Sequence, residues 1–195
     1  MGKIYYVIGK SSSGKDTIFK RLMERKELRL KELVLYTTRP IRSGETDGVE
    51  YFFVSDEKYQ ELLAAGRIIE ERAYHTVYGV WHYFTVDDGQ INLEQNDYLV
   101  TGTLESYQAT KAFFGEDKVI SLYIDLDDGV RLQRALDRER KQSEPKYKEM
   151  CRRFIADTED FSEENIEKAK IKKTFLNDDL DRCIEEIAAY IKSTR

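Results

Sequence analysis

Five apolar residues, Ile4–Ile8, run straight into a stretch of small residues, Gly9-Lys10-Ser11-Ser12-Ser13-Gly14, and then into Lys15-Asp16-Thr17. The β-branched and aromatic run suits a central parallel strand covered on both faces. Small residues let consecutive backbone N–H groups turn inward around a phosphate. A helix that starts here presents its positive end to the same phosphate. The spacing is that of the P-loop up to the lysine. Lys15 then supplies a mobile cation for terminal phosphate oxygens. The next position holds Asp16 where Ser or Thr is usual, so the hydroxyl next to Mg2+ falls to Thr17. Strand, glycine loop and helix in this order open an α/β domain.

The rest of the chain keeps that rhythm with one interruption. Helical spacing is expected over residues 17–25, 56–65, Leu104–Phe114, 127–142 and 145–161. Strands are expected at Ile4–Ile8, 33–36, 49–54, Ile68 with Ile69, 80–86, 98–101, 119–124 and 173–176. Ser55 is placed to cap the helix that follows it. From Asp179 on, Leu180, Cys183, Ile184, Ile187, Ala188 and Ile191 form one apolar stripe. Alternating strands and helices imply a parallel sheet with helices on both faces. The polar, irregular stretch from about 38 to 86 breaks the alternation and reads as a separate lobe.

Composition narrows the function. The chain carries 32 basic and 37 acidic residues, a net charge of −5. That balance argues against a general nucleic-acid binder while leaving room for a local basic pocket. No apolar run is long enough for a secretory or membrane segment. Cys151 and Cys183 show no metal or redox spacing, which fits a reducing, cytoplasmic setting. His75 and His82, among Tyr74, Trp81 and Tyr83, read as packing or surface residues.

The most informative segment is Thr37-Thr38-Arg39-Pro40-Ile41-Arg42-Ser43-Gly44-Glu45-Thr46-Asp47-Gly48-Val49-Glu50-Tyr51-Phe52-Phe53-Val54. Arg39 and Arg42 lie three apart, and both guanidinium forks can grip one phosphate. Tyr51 can add a hydroxyl donor. As a plain surface loop, the arginines would instead pair with Glu45 and Asp47. The segment resembles the acceptor signature of the guanylate kinase family, T-T/S-R-x-x-K/R-x-x-D/E-x-x-G-x-x-Y-x-F/Y, at every fixed position.

The resemblance implies a P-loop three-layer sandwich with a central parallel sheet, an inserted mixed acceptor-binding lobe and a helical lid. The core would span about 1–37, 87–126 and 170–195, the lobe 38–86 and the lid 127–160. It implies transfer of the ATP γ-phosphate to GMP, with Mg2+ bound to ATP. ATP would meet Gly9, Ser11, Ser12, Ser13, Gly14, Lys15, Asp16 and Thr17, with Asn177 of an Asn177-Asp178-Asp179-Leu180 segment near the adenine. GMP would meet Arg39, Arg42, Tyr51 and Tyr78 at its phosphate and Glu70 at its base. Lid arginines Arg138, Arg140 and Arg153 would join Lys15 and Arg39 in neutralising the transferred group.

The gap between Glu70 and Tyr78 is one residue shorter than the family's pattern, and the chain departs from the family in two further places. Thr101-Gly102-Thr103 stands where the family has a pair of aspartates, leaving Thr101 and Thr103 near the acceptor and Glu105 as a substitute acid. A guanine-reading serine aligns with Leu35 or Tyr36, of which only the Tyr36 hydroxyl can donate. Two further readings therefore stay open: another nucleotide or a phosphorylated sugar as acceptor, or a binding module without catalysis.

Overall fold

The computed structural model describes residues 1–76 and 79–195. The first half of the chain forms β1 (Ile4–Ile8), α1 (Lys15–Met23), β2 (Leu30–Glu32), β3 (Tyr36–Thr37), β4 (Phe52–Phe53), α2 (Asp56–Ala64), β5 (Ile68–Thr76) and β6 (Gly79–Val86). The second half forms β7 (Asp97–Thr101), α3 (Leu104–Phe114), β8 (Val119–Asp125), α4 (Asp128–Arg140), α5 (Tyr147–Asp160), α6 (Glu163–Lys168), β9 (Thr174–Leu176) and α7 (Leu180–Ser193).

A five-stranded parallel sheet runs in the order β2-β7-β1-β8-β9. Its centre is β1, every residue of which is fully buried. Ile4, Tyr6 and Ile8 face Tyr107 of α3, Tyr123 and Phe161. Tyr5 and Val7 face Leu22 of α1 and Ile184 and Ile187 of α7. The period-2 alternation of a strand thus feeds two cores from one segment, which makes the three layers. Each such side chain contributes about 1.5–3 kcal/mol of burial free energy. The α7 stripe closes one face, and the Tyr5 hydroxyl that reaches it donates to Ile191 O at 3.1 Å.

The sheet register sets the site. Val7 pairs with both Thr101 and Leu122, so β1 and β7 end within one residue of each other and β8 runs two residues further. Gly102 N donates to Val7 O at 3.2 Å and holds the turn after β7 against the start of the glycine loop. Ligands of open parallel sheets bind beyond such carboxyl ends.

A second sheet, β4-β3-β6-β5, is mixed: β3 and β4 are parallel, and β6 is antiparallel to both its neighbours. It packs over its own small core of Tyr59, Phe84 and Val86.

Several expected bounds shift. The strand expected at 33–36 is two short strands, β2 in the large sheet and β3 in the small one. Buried Leu33 and Leu35 lie between them, where the chain crosses over. The strand expected at 49–54 shrinks to Phe52–Phe53, because Val49 N donates to Thr46 O and Gly48 N to Tyr51 O in a tight turn. Ile68 with Ile69 grows into the nine-residue β5. The short helix α6, capped by Ser162, was not expected; its run of charge hides the period. Ser55 does cap α2, accepting from Lys58 N at 3.2 Å. Among the described residues, no helix is long and apolar enough to cross a membrane.

Candidate active site

The glycine loop is built by contacts that local sequence could not announce. Gly14 sits at φ 93° as the residue before α1. A side chain there would be strained, and its Cβ would meet Asn177 Nδ2 at 2.3 Å. Asn177, 2% exposed, donates from Nδ2 to Ser13 O at 2.7 Å and so ties the segment after β9 to the loop. Lys15, Asp16 and Thr17 form the first turn of α1. With Ser12, Arg134 and Arg138 they line a cavity of about 390 Å3, which we call the donor cavity because the phosphate donor is expected there.

Arg131 of α4 underlies this loop, and it escaped the sequence reading. It is fully buried. Its Nε donates to Ser11 O at 3.0 Å and its Nη2 to Asp157 Oδ2 at 3.0 Å, while Nη1 pairs with Asp128. Its guanidinium lies 4.9 Å from the Phe154 ring centroid. Asp157 of α5 also accepts from Ser11 N at 2.7 Å. One carboxylate therefore joins the loop, α4 and α5. The only sequence signal was Arg131 and Ala135 four apart, both buried on one face of α4.

The expected lid cations separate. Arg138 lines the donor cavity, and with Arg153 it lines a smaller cavity of about 110 Å3 between α4 and α5. Arg152 and Arg153 both grip Glu149, at 2.8 and 3.1 Å, and Arg152 leads in holding that carboxyl down to about 2. Arg140 is exposed and faces Asp137 at 3.6 Å, on the outer side of α4.

A cavity of about 440 Å3 opens on the other side of Lys15, toward Thr103 and Glu105 at the start of α3. Beyond it lies a cleft of about 930 Å3 between the β5–β6 hairpin and α5, lined by Arg42, Tyr51, Arg72, Tyr83 and Arg153. Ser11, Thr103 and Asp157 are walls of both spaces.

Among the expected acceptor contacts, Arg42 and Tyr51 reach this cleft. Arg39 does not line it. Arg39 is 3% exposed and donates to both Glu45 oxygens, at 2.9 and 2.8 Å, and to the Tyr83 hydroxyl at 3.2 Å. Burial demands that pairing. Arg39 thereby holds Glu45, which accepts from Arg42 N at 2.7 Å, and Tyr83, which lines the cleft.

Tyr36 is also placed elsewhere. Its ring packs between Phe52 and Phe84, and its hydroxyl donates to Asp88 Oδ2 at 2.6 Å. Leu35 is core. Thr101 ends β7, and the Thr103 hydroxyl caps α3, accepting from Ser106 N at 3.2 Å. Glu70 is 5% exposed on β5. Burial pushes its carboxyl up, against the pull of Arg72 and a hydrogen bond from Thr85. His82 stacks on Tyr59 at 4.1 Å, a packing role. Tyr78 lies outside the described residues.

A parallel sheet whose first strand feeds a glycine loop, with a mixed lobe set across a cleft, defines a P-loop phosphotransferase. Comparison with known proteins narrows the class. The guanylate kinase family model matches residues 1–194. A guanylate kinase of Caldanaerobacter subterraneus subsp. tengcongensis is 30% identical over 97% of this chain and 86% of its own length. One from Wolbachia sp. subsp. Brugia malayi is 30% identical over 100% of this chain and 94% of its own. A crystal structure of guanylate kinase from Anaplasma phagocytophilum shares the fold, with a TM-score of 0.65 at 20% identity over 98% of this chain and 85% of that one. The chain belongs to the guanylate kinase family.

Proposed function

We propose that the protein transfers the γ-phosphate of ATP to GMP, giving ADP and GDP. One observation carries the reading. Lys15 is a wall of both the donor cavity and the space that leads to the arginine-lined cleft. A cation shared between two anion sites is what direct phosphoryl transfer requires.

In this reading the loop amides and Lys15 hold the β- and γ-phosphates, and Asn177 borders the adenine end. Arg42 and Tyr51 hold the acceptor phosphate, while Arg39 sets them through Glu45 and Tyr83. An oxygen of the GMP phosphate attacks the γ-phosphorus, the bond to the β–γ bridging oxygen breaks, and ADP leaves. No covalent enzyme intermediate is needed. Catalysis is positioning plus neutralisation of charge spread over the transferred group. Arg138 and Arg153, on α4 and α5, are placed to complete that neutralisation.

Asp16 and Thr17 put two hard oxygen donors in the donor-cavity wall. That donor set suits Mg2+, which takes most of its remaining ligands from phosphates and water. Bound there, Mg2+ would offset phosphate charge. Two unbridged cysteines, Cys151 exposed and Cys183 buried, fit the cytoplasm.

A coupled ADP-release assay across acceptors tests the proposal. GMP should be turned over at least about tenfold faster than AMP, UMP or a phosphorylated sugar, a gap of about 1.4 kcal/mol. Parity among them would reject GMP as the acceptor.

A further inference from the structure

Four buried side-chain atoms that lack an aligned hydrogen-bond partner among the described residues belong to β1, β5 and α3: Tyr6 Oη, Glu70 Oε2, Arg72 Nε and Thr110 Oγ1. The three elements meet there, with α3 packed on β1 and β5. Tyr6 feels the charges of both Glu70 and Arg72.

Glu70 and Arg72 are the charged members. Their side chains are 1% and 10% exposed, and they lie two apart on β5, on one face. Glu70 Oε1 is occupied, accepting from Thr85 Oγ1 at 2.8 Å and from Arg72 Nη2 at 3.4 Å. Glu70 Oε2 and Arg72 Nε approach to 3.2 Å without aligning. The pair is therefore compensated in charge but open in hydrogen bonding, with one acceptor next to one donor. Arg72 is also a wall of the acceptor cleft.

Buried charged groups in native proteins rarely keep such vacancies, and Arg72 carries this one to the wall of the cleft, where a ligand can complete the set. The missing partner must give a hydrogen to the carboxylate and take one from the guanidinium. A flat edge carrying N–H beside C=O does both. Guanine offers N1–H and its exocyclic amine to a carboxylate, with O6 adjacent, and arginine is the side chain most used to reach O6 and N7. Adenine carries an amine where guanine carries O6, so the guanidinium would meet a donor and reject it.

We infer that Arg72 is a specificity-determining residue that donates to O6 of the acceptor base while Glu70 accepts from N1–H and the amine. The inference rests on GMP as acceptor and deepens that reading. Both hydroxyls of β3 are engaged elsewhere, Tyr36 by Asp88 and Thr37 by His82 O.

The test measures kcat and KM for GMP, 6-thio-GMP and IMP in wild type, Arg72→Ala and Arg72→Lys. Exchange of O6 for sulfur weakens the acceptor that Arg72 reads and leaves the exocyclic amine in place. IMP keeps O6 and lacks the amine that Glu70 reads. Wild type should prefer GMP over 6-thio-GMP in kcat/KM by roughly 5- to 150-fold, the ratio one bidentate arginine–guanine pair supports. That preference should fall near unity in Arg72→Ala and shrink in Arg72→Lys, while the preference for GMP over IMP survives in both.

An equal rise in KM for all three acceptors would assign Arg72 to the phosphate and overturn the inference. So would an unchanged GMP to 6-thio-GMP ratio. Where an unpaired Glu70 prevents Arg72→Ala from folding, Arg72→Lys keeps a cation beside it and decides alone, with ATP affinity by calorimetry as the check on folding. Wild type that turns over none of the three defeats the GMP reading itself, before any variant is compared.

Discussion

The phosphate loop and the acceptor lobe would bind anions by opposite means. The loop uses backbone amides, a helix end and one lysine, all within residues 9–17. The lobe presents exposed Arg42 to its cleft and rests on guanidinium groups paired with carboxylates of the protein: Arg39 with Glu45 behind the cleft and Arg72 with Glu70 at its wall. A backbone cradle is fixed by glycine geometry and asks little of distant side chains. A guanidinium cradle must be buried, neutralised and aimed by residues elsewhere. The loop should therefore fail in chemistry when altered, and the lobe should fail in stability and specificity together.

The largest effect should come from the loop. Lys15→Ala should lower kcat by at least about 10²–10³-fold, the scale for losing one fixed charge-stabilising donor. Its melting temperature should stay near wild type, because Lys15 is only half-buried. Steady-state kinetics beside a thermal melt would separate the two.

Asp157 comes next and crosses the divide, since it is a carboxylate that serves the loop. Asp157→Ala leaves Arg131 fully buried with one partner fewer and Ser11 N without its acceptor. We expect a loss of about 1.5–3 kcal/mol in urea unfolding, the range for hydrogen bonds to charged groups. A change within about 0.5 kcal/mol, typical of unconstrained surface sites, would show that the lid tie is idle.

Arg39→Ala and Arg42→Ala sharpen the contrast inside the lobe. Both should raise the GMP KM. Only Arg39→Ala should also lower stability, by clearly more than the ~0.5 kcal/mol of a surface site, because it removes a buried guanidinium that holds both Glu45 oxygens and the Tyr83 hydroxyl. Exposed Arg42 should shift stability by no more than about 0.5 kcal/mol. Equal stability losses would erase the distinction.

The smallest effect is a pH dependence. Burial, opposed by Arg72 on the same strand and by Thr85, and reinforced by Glu105 from α3, sets the Glu70 carboxyl above its ordinary 4.5. The ionised form is the one that accepts from guanine. GMP affinity should therefore be full above the raised value and fall as pH drops through it, sooner than for an ordinary glutamate. For folding the sign is reversed: a raised folded value favours the protonated form, so this site adds stability at low pH and loses it as pH rises. Glu70→Gln should flatten the binding profile, as read from KM against pH.

What was legible in the sequence follows the same division. The loop, the α7 stripe and the Ser55 cap are contiguous patterns with one physical cause each, and they stand where expected. The acceptor signature located Arg42 and Tyr51 in the cleft but could not tell that Arg39 is buried, because exposure is decided by Glu45 and Tyr83 closing over it. Arg131 and Asp157 were invisible because a charged residue on a charged helix looks solvated. Their partner, Ser11, lies 146 residues from Asp157. Arg72 was missed for a related reason. Glu70, Glu71 and Arg72 in succession mask the alternation of β5, and its buried face becomes plain only when α3 packs against it.

Transfer depends on two anion sites meeting across Lys15. A bisubstrate probe, adenosine and guanosine joined through five phosphates, tests it most directly. It should compete against both ATP and GMP, one probe per chain, and bind far tighter than either nucleotide alone, because the second contact becomes intramolecular. Competition against ATP only, with affinity no better than that of ATP, would contradict it.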